Sequence, residues 1–240
     1  MTRHLVLFAR EPSRQAREKG FGRVPDASLL FSKFAAGWSR AAEAAGASLL
    51  ISTPAEDLSG WRRTPGISAT WIVQEGRNFG ERLRETAVRA ASLPGHAVVV
   101  GGDVVPCADR LAGAFESLEK GAEAVLVPAS DGGFSLIAIR VQDADLLAGI
   151  GQRRRNAFSV LRDALLARGR RVAVLPAAPD LDGRTGLRAL LRDGWFGREL
   201  SRLGRRLLSF RAYLLVASVC PSFECPATVL PVLRGPPLAA

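Results

Sequence analysis

Two aspartates follow apolar, strand-like runs of the sequence. Asp103 comes after Ala97 to Val100 and a pair of glycines, and Asp131 comes after Ala124 to Val127 and a proline. In open α/β sheets, ligands bind in the crevice outside the carboxyl ends of the strands. We therefore expect both carboxylates to flank one cleft, with Asp103 as the first candidate for chemistry and Asp131 as an oxygen ligand or a hydrogen-bond acceptor. Ordinary turn or cap roles are the alternative for both residues.

Glycines accompany the second aspartate. Gly132 and Gly133 stand between Asp131 and a further strand-like run, Phe134 to Ile139. Glycine allows the backbone to approach a ligand closely and to turn tightly. The two glycines are therefore predicted to line the same cleft and to let the backbone approach a ligand there.

Another pair of acids lies beyond the last strand-like run, Arg171 to Leu175. Asp180 and Asp182 alternate in the sequence, and alternate residues of an extended segment can face one metal ion. Turn chemistry explains them equally well. Asp182 is the predicted second metal contact.

Three basic residues are candidates for binding phosphate oxygens. Arg10 follows the first strand-like run, Lys19 lies in a polar segment, Ser13 to Pro25, that is predicted to be a loop, and Arg82 lies in a helix predicted to begin after Asn78. A cationic loop after the first strand of an α/β fold can hold a phosphate chain. The alternative is that these charges are simply solvated.

Strand-like and helix-like segments alternate along the chain. This pattern predicts an α/β fold, a three-layer α/β/α sandwich of Rossmann-like type with a mostly parallel sheet. No Gly-x-Gly-x-x-Gly motif follows the first strand-like run, and no Walker phosphate loop is present. The sequence therefore gives little support for a classical dinucleotide-binding or P-loop site.

Composition narrows the class of protein. The chain has 240 residues, a hydrophobic fraction of 48% and a net charge of +10, which together indicate a folded protein that favours phosphate-bearing partners. No nucleic-acid partner is expected, because no binding motif is present and the aromatic residues do not interleave with the arginines.

Three cysteines and two histidines suggest neither a disulfide framework nor a zinc site. The N-terminus has no signal-peptide pattern, so a cytoplasmic location is expected.

The sequence changes character near residue 195. We predict a domain over residues 1–194 and an extension over 195–240 that begins with a basic amphipathic helix and ends in a proline-containing tail. The extension either packs back onto the domain or makes a peripheral contact with a membrane or a protein. Its apolar run is too short to span a bilayer.

Five short motifs occur in an order that resembles a bacterial transferase family. They are Phe8 to Pro12, Gln74 to Leu83, Gly101 to Asp103, Asp131 to Phe134 and Asp180 to Asp182. The family is the GT-A-like group labelled radical-SAM/selenodomain-associated glycosyltransferases, within the nucleotide-diphospho-sugar transferase superfamily. The resemblance covers about residues 5–191. The family's basic motif after the first strand is absent here, although Lys19 remains.

The resemblance implies a GT-A-type fold, a nucleotide-sugar or nucleotide ligand, an unknown acceptor, and Mg²⁺ or Mn²⁺ as cofactor. In such a site Asp103 would bind the metal ion, Asp131 would orient the acceptor or act as a base, and Gly132 and Gly133 would bind the nucleotide. The expected function is a metal-dependent transferase that uses a nucleotide-activated substrate, most simply a glycosyltransferase. The alternatives are a guanylyltransferase-like nucleotidyltransferase, which would act on a nucleoside triphosphate, and a catalytically silent protein that binds a nucleotide or a partner.

Overall fold

A seven-stranded sheet forms the centre of the molecule. The structure is a computed structural model that describes residues 1–23, 27–150 and 156–192. The strands are β1 (Arg3–Phe8), β2 (Ala47–Thr53), β3 (Thr70–Val73), β4 (His96–Gly101), β5 (Ala124–Pro128), β6 (Phe134–Ala138) and β7 (Val172–Val174). Their order across the sheet is β3-β2-β1-β4-β6-β5-β7. Only β6 runs antiparallel to its neighbours, so the expected mostly parallel sheet is confirmed.

Helices cover both faces of this sheet. They are α1 (Pro12–Glu18), α2 (Ala27–Ala44), α3 (Leu58–Arg62), α4 (Phe79–Ala91), α5 (Ala108–Glu119), α6 (Asp145–Ala148), α7 (Ala157–Ala167) and α8 (Gly183–Arg192), with short 3-10 turns at Ala55–Asp57 and Val141–Asp143. Residues on one face of the strands pack with α2, α3 and α5, and those on the other face pack with α4, α6 and α7. The predicted three-layer sandwich is therefore confirmed.

The chain reverses its direction of winding at β1. The strands β1, β2 and β3 lie side by side in sequence order, whereas β4 pairs with the opposite side of β1. Such a reversal leaves a crevice at the carboxyl ends of the two central strands, because the loops leaving them diverge. The loop that carries Asp103 leaves β4 at this point.

Close contact holds the ends of these central strands together. The Gly102 amide donates to the Phe8 carbonyl at 3.0 Å. A Cβ atom at Gly102 would lie 2.4 Å from the Ala9 Cβ, so no larger residue fits there without movement. Glycine at this position therefore lets the Asp103 loop begin against the backbone of β1.

The segment after β1 differs from the prediction. Residues expected to form a polar loop instead form α1, and Phe21 just beyond it is fully buried. Pro12 occupies the first helical turn, where its missing amide hydrogen does no harm. The Glu11 carboxylate accepts from the Ser13 and Arg14 amides and so caps the helix. Pro12 is thus the first residue of a helix.

Three predictions fall outside the described residues. These are Asp26, which the sequence suggests as the N-cap of the following helix, the basic segment 151–155, and the extension over 195–240 with its boundary to the domain. Within the ranges that are described, no helix is both long enough and apolar enough to cross a membrane.

Candidate metal and phosphate site

The Asp103 loop is fixed by packing on α2. Trp38 is fully buried, and its indole nitrogen donates to the Val104 carbonyl at 3.0 Å. Gly37 lies directly against Pro106, whose ring carbons would be 2.6 to 2.8 Å from a Cβ at that glycine. The loop is therefore positioned by a rigid helix, which suits a residue that must hold a ligand.

The segment after β7 pairs with this loop. Val104 and Asp180 form an antiparallel bridge, the Leu181 amide donates to the Asp103 carbonyl at 2.9 Å, and the Val105 amide donates to the Pro179 carbonyl at 3.1 Å. These backbone bonds join two parts of the chain that are almost 80 residues apart. They bring Asp180 and Asp182 to the same edge of the sheet as Asp103.

Asp131 lies at the tip of the β5–β6 hairpin. Its Oδ1 accepts from the Gly133 amide at 2.8 Å, and Gly132 has a φ of +89°, which favours glycine. The hairpin is tied to the β7 segment because the Ser130 hydroxyl donates to Asp180 Oδ1 at 2.9 Å. The two predicted nucleotide-binding glycines thus shape the turn that presents Asp131.

Three carboxylates meet closely at this edge. Asp131, Asp180 and Asp182 each place one oxygen within 4.8 Å of the others. Oxygens that share a divalent cation each lie about 2.0 to 2.6 Å from it, so this spacing suits a common ion. Carboxylate oxygens are also the donors that Mg²⁺ and Mn²⁺ prefer. The donor set therefore fits the expected metal.

The electrostatics of Asp180 also favour a bound cation. Burial, followed by the charges of Asp103, Asp182 and Asp131, raises the pKa of this carboxyl to about 6. The hydrogen bond from Ser130 lowers the pKa but does not offset these effects. A carboxylate among other carboxylates is destabilised unless a cation balances it. We call Asp103, Asp131, Asp180 and Asp182 the acid cluster.

Lys19 contacts two members of the acid cluster. Its Nζ lies 2.5 Å from Asp103 Oδ2 and also forms an ion pair with Asp182. Burial lowers the pKa of this ammonium, but the charges and hydrogen bonds of the two carboxylates outweigh burial and raise it above its ordinary value. Lys19 therefore carries a full positive charge at neutral pH.

Arg10 lies in a different ionic group. Its guanidinium is 3.2 Å from Glu18, 3.1 Å from Glu56 and 3.7 Å from the fully buried Asp57. These contacts fix the turn between β1 and α1 to the one after β2. No ion pair joins Arg10 to the acid cluster among the described residues, and its role in binding phosphate stays a prediction.

Arg82 lies in the first turn of α4, whose N-terminus faces the ends of the central strands. Phe79, at the start of this helix, packs edge-on against Phe8 with ring centroids 5.5 Å apart. Arg82 Nε is buried and has no hydrogen-bond partner among the described residues. Its role in binding phosphate stays a prediction.

Two features of the site go beyond the sequence analysis. Only Asp182 of the alternating pair was assigned to the metal, whereas Asp180 and Asp182 both belong to the three-carboxylate group. Asp103 pairs with Lys19, and its assignment to the metal stays a prediction. The contact between Lys19 and Asp103 joins residues 84 positions apart and has no local signal.

Part of the chain matches a known protein family. Residues 38–152 match DUF2064, which is described as uncharacterized proteins conserved in bacteria. The matched range includes Asp103 and Asp131 but ends before Asp180. No curated protein sequence matches the chain.

Solved structures share the fold. A protein of Desulfovibrio desulfuricans G20 assigned as a nucleotide-diphospho-sugar transferase superposes with a TM-score of 0.74 and 22% identity, over 89% of this chain and 99% of that one. The Rv0371c protein of Mycobacterium tuberculosis H37Rv, in complex with manganese, gives a TM-score of 0.51 and 18% identity over 79% and 98% of the two chains. A CMP:2-keto-3-deoxy-manno-octonic acid synthetase in complex with CTP gives 0.53 and 12% identity over 79% and 97%.

These identities are low, so the likeness concerns the fold. It extends over nearly the whole length of each solved chain and includes both a sugar-nucleotide transferase and a nucleotide-binding synthetase. The chain therefore has the fold of the nucleotide-diphospho-sugar transferases and nucleotidyltransferases, which confirms the resemblance drawn from its motifs.

Proposed function

We propose that this protein is a metal-dependent transferase that acts on a nucleotide-activated substrate, most simply a glycosyltransferase acting on a nucleotide sugar. The observation that supports this function is the acid cluster. Its carboxylates come from the loops after β4, β5 and β7 and meet at the carboxyl edge of the sheet. Three loops that converge on one point are typical of a binding site.

Each charged residue has a task in this proposal. Asp131, Asp180 and Asp182 hold Mg²⁺ or Mn²⁺, which neutralises charge on the diphosphate of the substrate. Asp103 holds Lys19 at the rim of the site, within reach of the phosphate oxygens. Arg82, with its unsatisfied buried Nε among the described residues, contributes a second contact to phosphate.

The shape of the edge agrees with an extended ligand. The crevice between the ends of β1 and β4 receives the nucleotide, with the α4 N-terminus on one side. The β5–β6 hairpin and the β7 segment lie on the other side and carry the metal-binding carboxylates. A nucleotide that spans this crevice would place its diphosphate beside the acid cluster.

The first experiment is a calorimetric titration of nucleoside diphosphates, nucleotide sugars and nucleoside triphosphates, each with and without Mn²⁺. We expect binding that requires Mn²⁺ and is lost in Asp131→Asn. Asp163→Asn is the matched control, because Asp163 is an exposed acid that pairs with the adjacent Arg162. Equal binding with and without the metal in all three proteins would refute the proposed site.

The fold also accommodates nucleotidyl transfer, since a synthetase in complex with CTP shares it. The two reactions differ in their products. Transfer of a sugar releases a nucleoside phosphate, whereas nucleotidyl transfer from a nucleoside triphosphate releases pyrophosphate. A pyrophosphate-release assay across the four nucleoside triphosphates separates them, and Mn²⁺-dependent binding without either product identifies a silent binding protein.

A further inference from the structure

Asp182 is shared between two cationic partners. One of its oxygens pairs with Lys19, and the same side chain belongs to the group of three carboxylates that fits a metal ion. Asp182 is half exposed, with 50% of its side chain accessible, whereas Asp103 is only 19% accessible. Lys19 therefore contacts one largely buried carboxylate, Asp103, and one more exposed carboxylate, Asp182, which can change partners.

The chain segments that carry Lys19 and Asp182 rest on one small hydrophobic core. Phe21, two residues after Lys19, and Leu181, one residue before Asp182, are both fully buried in it together with Leu187 of α8. The backbones that carry Lys19 and Asp182 are thus packed together. Only the side chains are free to exchange contacts at this point.

We infer that Lys19 is an internal counter-cation that a divalent metal displaces from Asp182, and that the released ammonium then binds the phosphate groups of the substrate. This inference rests on the proposed function. In the metal-free protein, Lys19 balances part of the negative charge of the acid cluster. When a metal ion takes Asp182, Lys19 keeps its contact with Asp103 and presents its remaining N–H groups to the ligand.

The exchange has a consequence for affinity. A positive charge next to the cation site repels a bare metal ion, because like charges a few ångströms apart interact strongly in a partly buried site. The same charge attracts a metal–polyphosphate complex. Metal and polyphosphate should therefore each strengthen the binding of the other, as linkage requires.

The test uses Lys19→Met and, as the matched control, Lys120→Met. Lys120 is exposed and pairs only with Glu116 at 2.5 Å among the contacts observed for it. Calorimetry measures Mn²⁺ alone, and then pyrophosphate at saturating Mn²⁺. We expect Lys19→Met to bind Mn²⁺ about tenfold more tightly and pyrophosphate about tenfold more weakly than wild type, with Lys120→Met unchanged.

The outcomes separate this inference from the proposed function. If wild type binds Mn²⁺ through Asp131 but Lys19→Met binds it equally or more weakly, Lys19 does not compete with the metal and the inference fails alone. If wild type binds no Mn²⁺, the metal site and the inference fail together. A purely structural role for Lys19 would weaken both affinities and not move them in opposite directions.

A second measurement needs no variant of Lys19. Acylation of lysines in the wild-type protein by an N-hydroxysuccinimide ester, followed by mass spectrometry, reports how accessible each ammonium is. We expect Mn²⁺ to increase acylation of Lys19 relative to Lys120, because the pair with Asp182 opens. No change on addition of saturating Mn²⁺ would overturn the inference.

Discussion

The two ends of β5 and β7 carry opposite kinds of ionic cluster. At their amino ends, Glu123, Asp143 and Asp145 are matched by arginines. At their carboxyl ends lies the acid cluster, in which Lys19 is the one cation joined by an ion pair within the described ranges. We call the first group the amino-edge network; its arginines are Arg140, Arg168, Arg170 and Arg171.

The two clusters differ in the direction of their pKa shifts. A hydrogen bond from Arg168 lowers the pKa of Asp145, and hydrogen bonding to the Arg171 backbone followed by the arginine charges lowers that of Glu123. The pKa of Asp180 is raised instead, to about 6. Balanced ion pairs stabilise the fold, whereas an excess of one charge opposes folding and is typical of a site that awaits a ligand.

The largest effect on the free energy of unfolding is expected in the amino-edge network. Asp143 is fully buried and lies 3.2 Å from Arg168 and 2.8 Å from Arg170. Asp143→Asn removes the negative charge that both guanidinium groups contact in a buried site, so we expect the free energy of unfolding to fall by about 3 kcal/mol. Urea denaturation at pH 7.5 measures it, and an unchanged midpoint would contradict a stabilising role for the network.

Replacing an acidic residue of the acid cluster should change the free energy of unfolding in the opposite direction. Asp180→Asn removes a charge that burial and its neighbours oppose, while its side-chain oxygen can still accept from Ser130. We expect a gain of about 2 kcal/mol in the free energy of unfolding at pH 7.5 without metal. Urea denaturation of wild type and variant measures this gain.

The pH dependence of that gain follows from linkage. Folded Asp180 keeps its proton up to a pKa of about 6, whereas its ordinary value is 3.8. The folded state therefore binds more protons between these values, and the stability of wild type falls as pH rises through this window. The difference between variant and wild type should be close to zero below pH 4 and complete above pH 7. A constant difference across this range would show that charge is not its cause.

The smallest effect is expected at an ion pair outside both clusters. Lys120 and Glu116 form an exposed pair one helical turn apart. Lys120→Met should change the free energy of unfolding by no more than about 0.5 kcal/mol, because water and salt screen such pairs. A loss of stability as large as that of Asp143→Asn would mean that burial does not explain why the two ion pairs contribute differently.

Much of the sheet and part of the site could be predicted from the sequence. The four apolar runs given in the sequence analysis match β4, β5, β6 and β7 to within one residue at each end, because strands buried on both faces have a distinctive composition. Since carboxyl ends of parallel strands meet at one edge, residues that follow such runs are brought together. This argument predicted Asp103, Asp131 and Asp182 as residues of one site.

The ionic partners could not be predicted. Arg10 pairs with Glu56 and Asp57, which lie in a turn after β2 whose course no local pattern specifies. Lys19 was placed in a loop, and its position depends on α1 and on the burial of Phe21. Contacts between side chains on different loops depend on the packing of the whole domain, which local propensity does not encode.

The central claim is that the acid cluster binds a divalent cation and the amino-edge network does not. Its direct test is a calorimetric titration of Mn²⁺ into wild type, Asp131→Asn and Asp145→Asn at pH 7.5. We predict one site in wild type, affinity reduced at least about tenfold in Asp131→Asn, and no change in Asp145→Asn. Equal affinity in all three proteins, or no binding to wild type, would contradict the account.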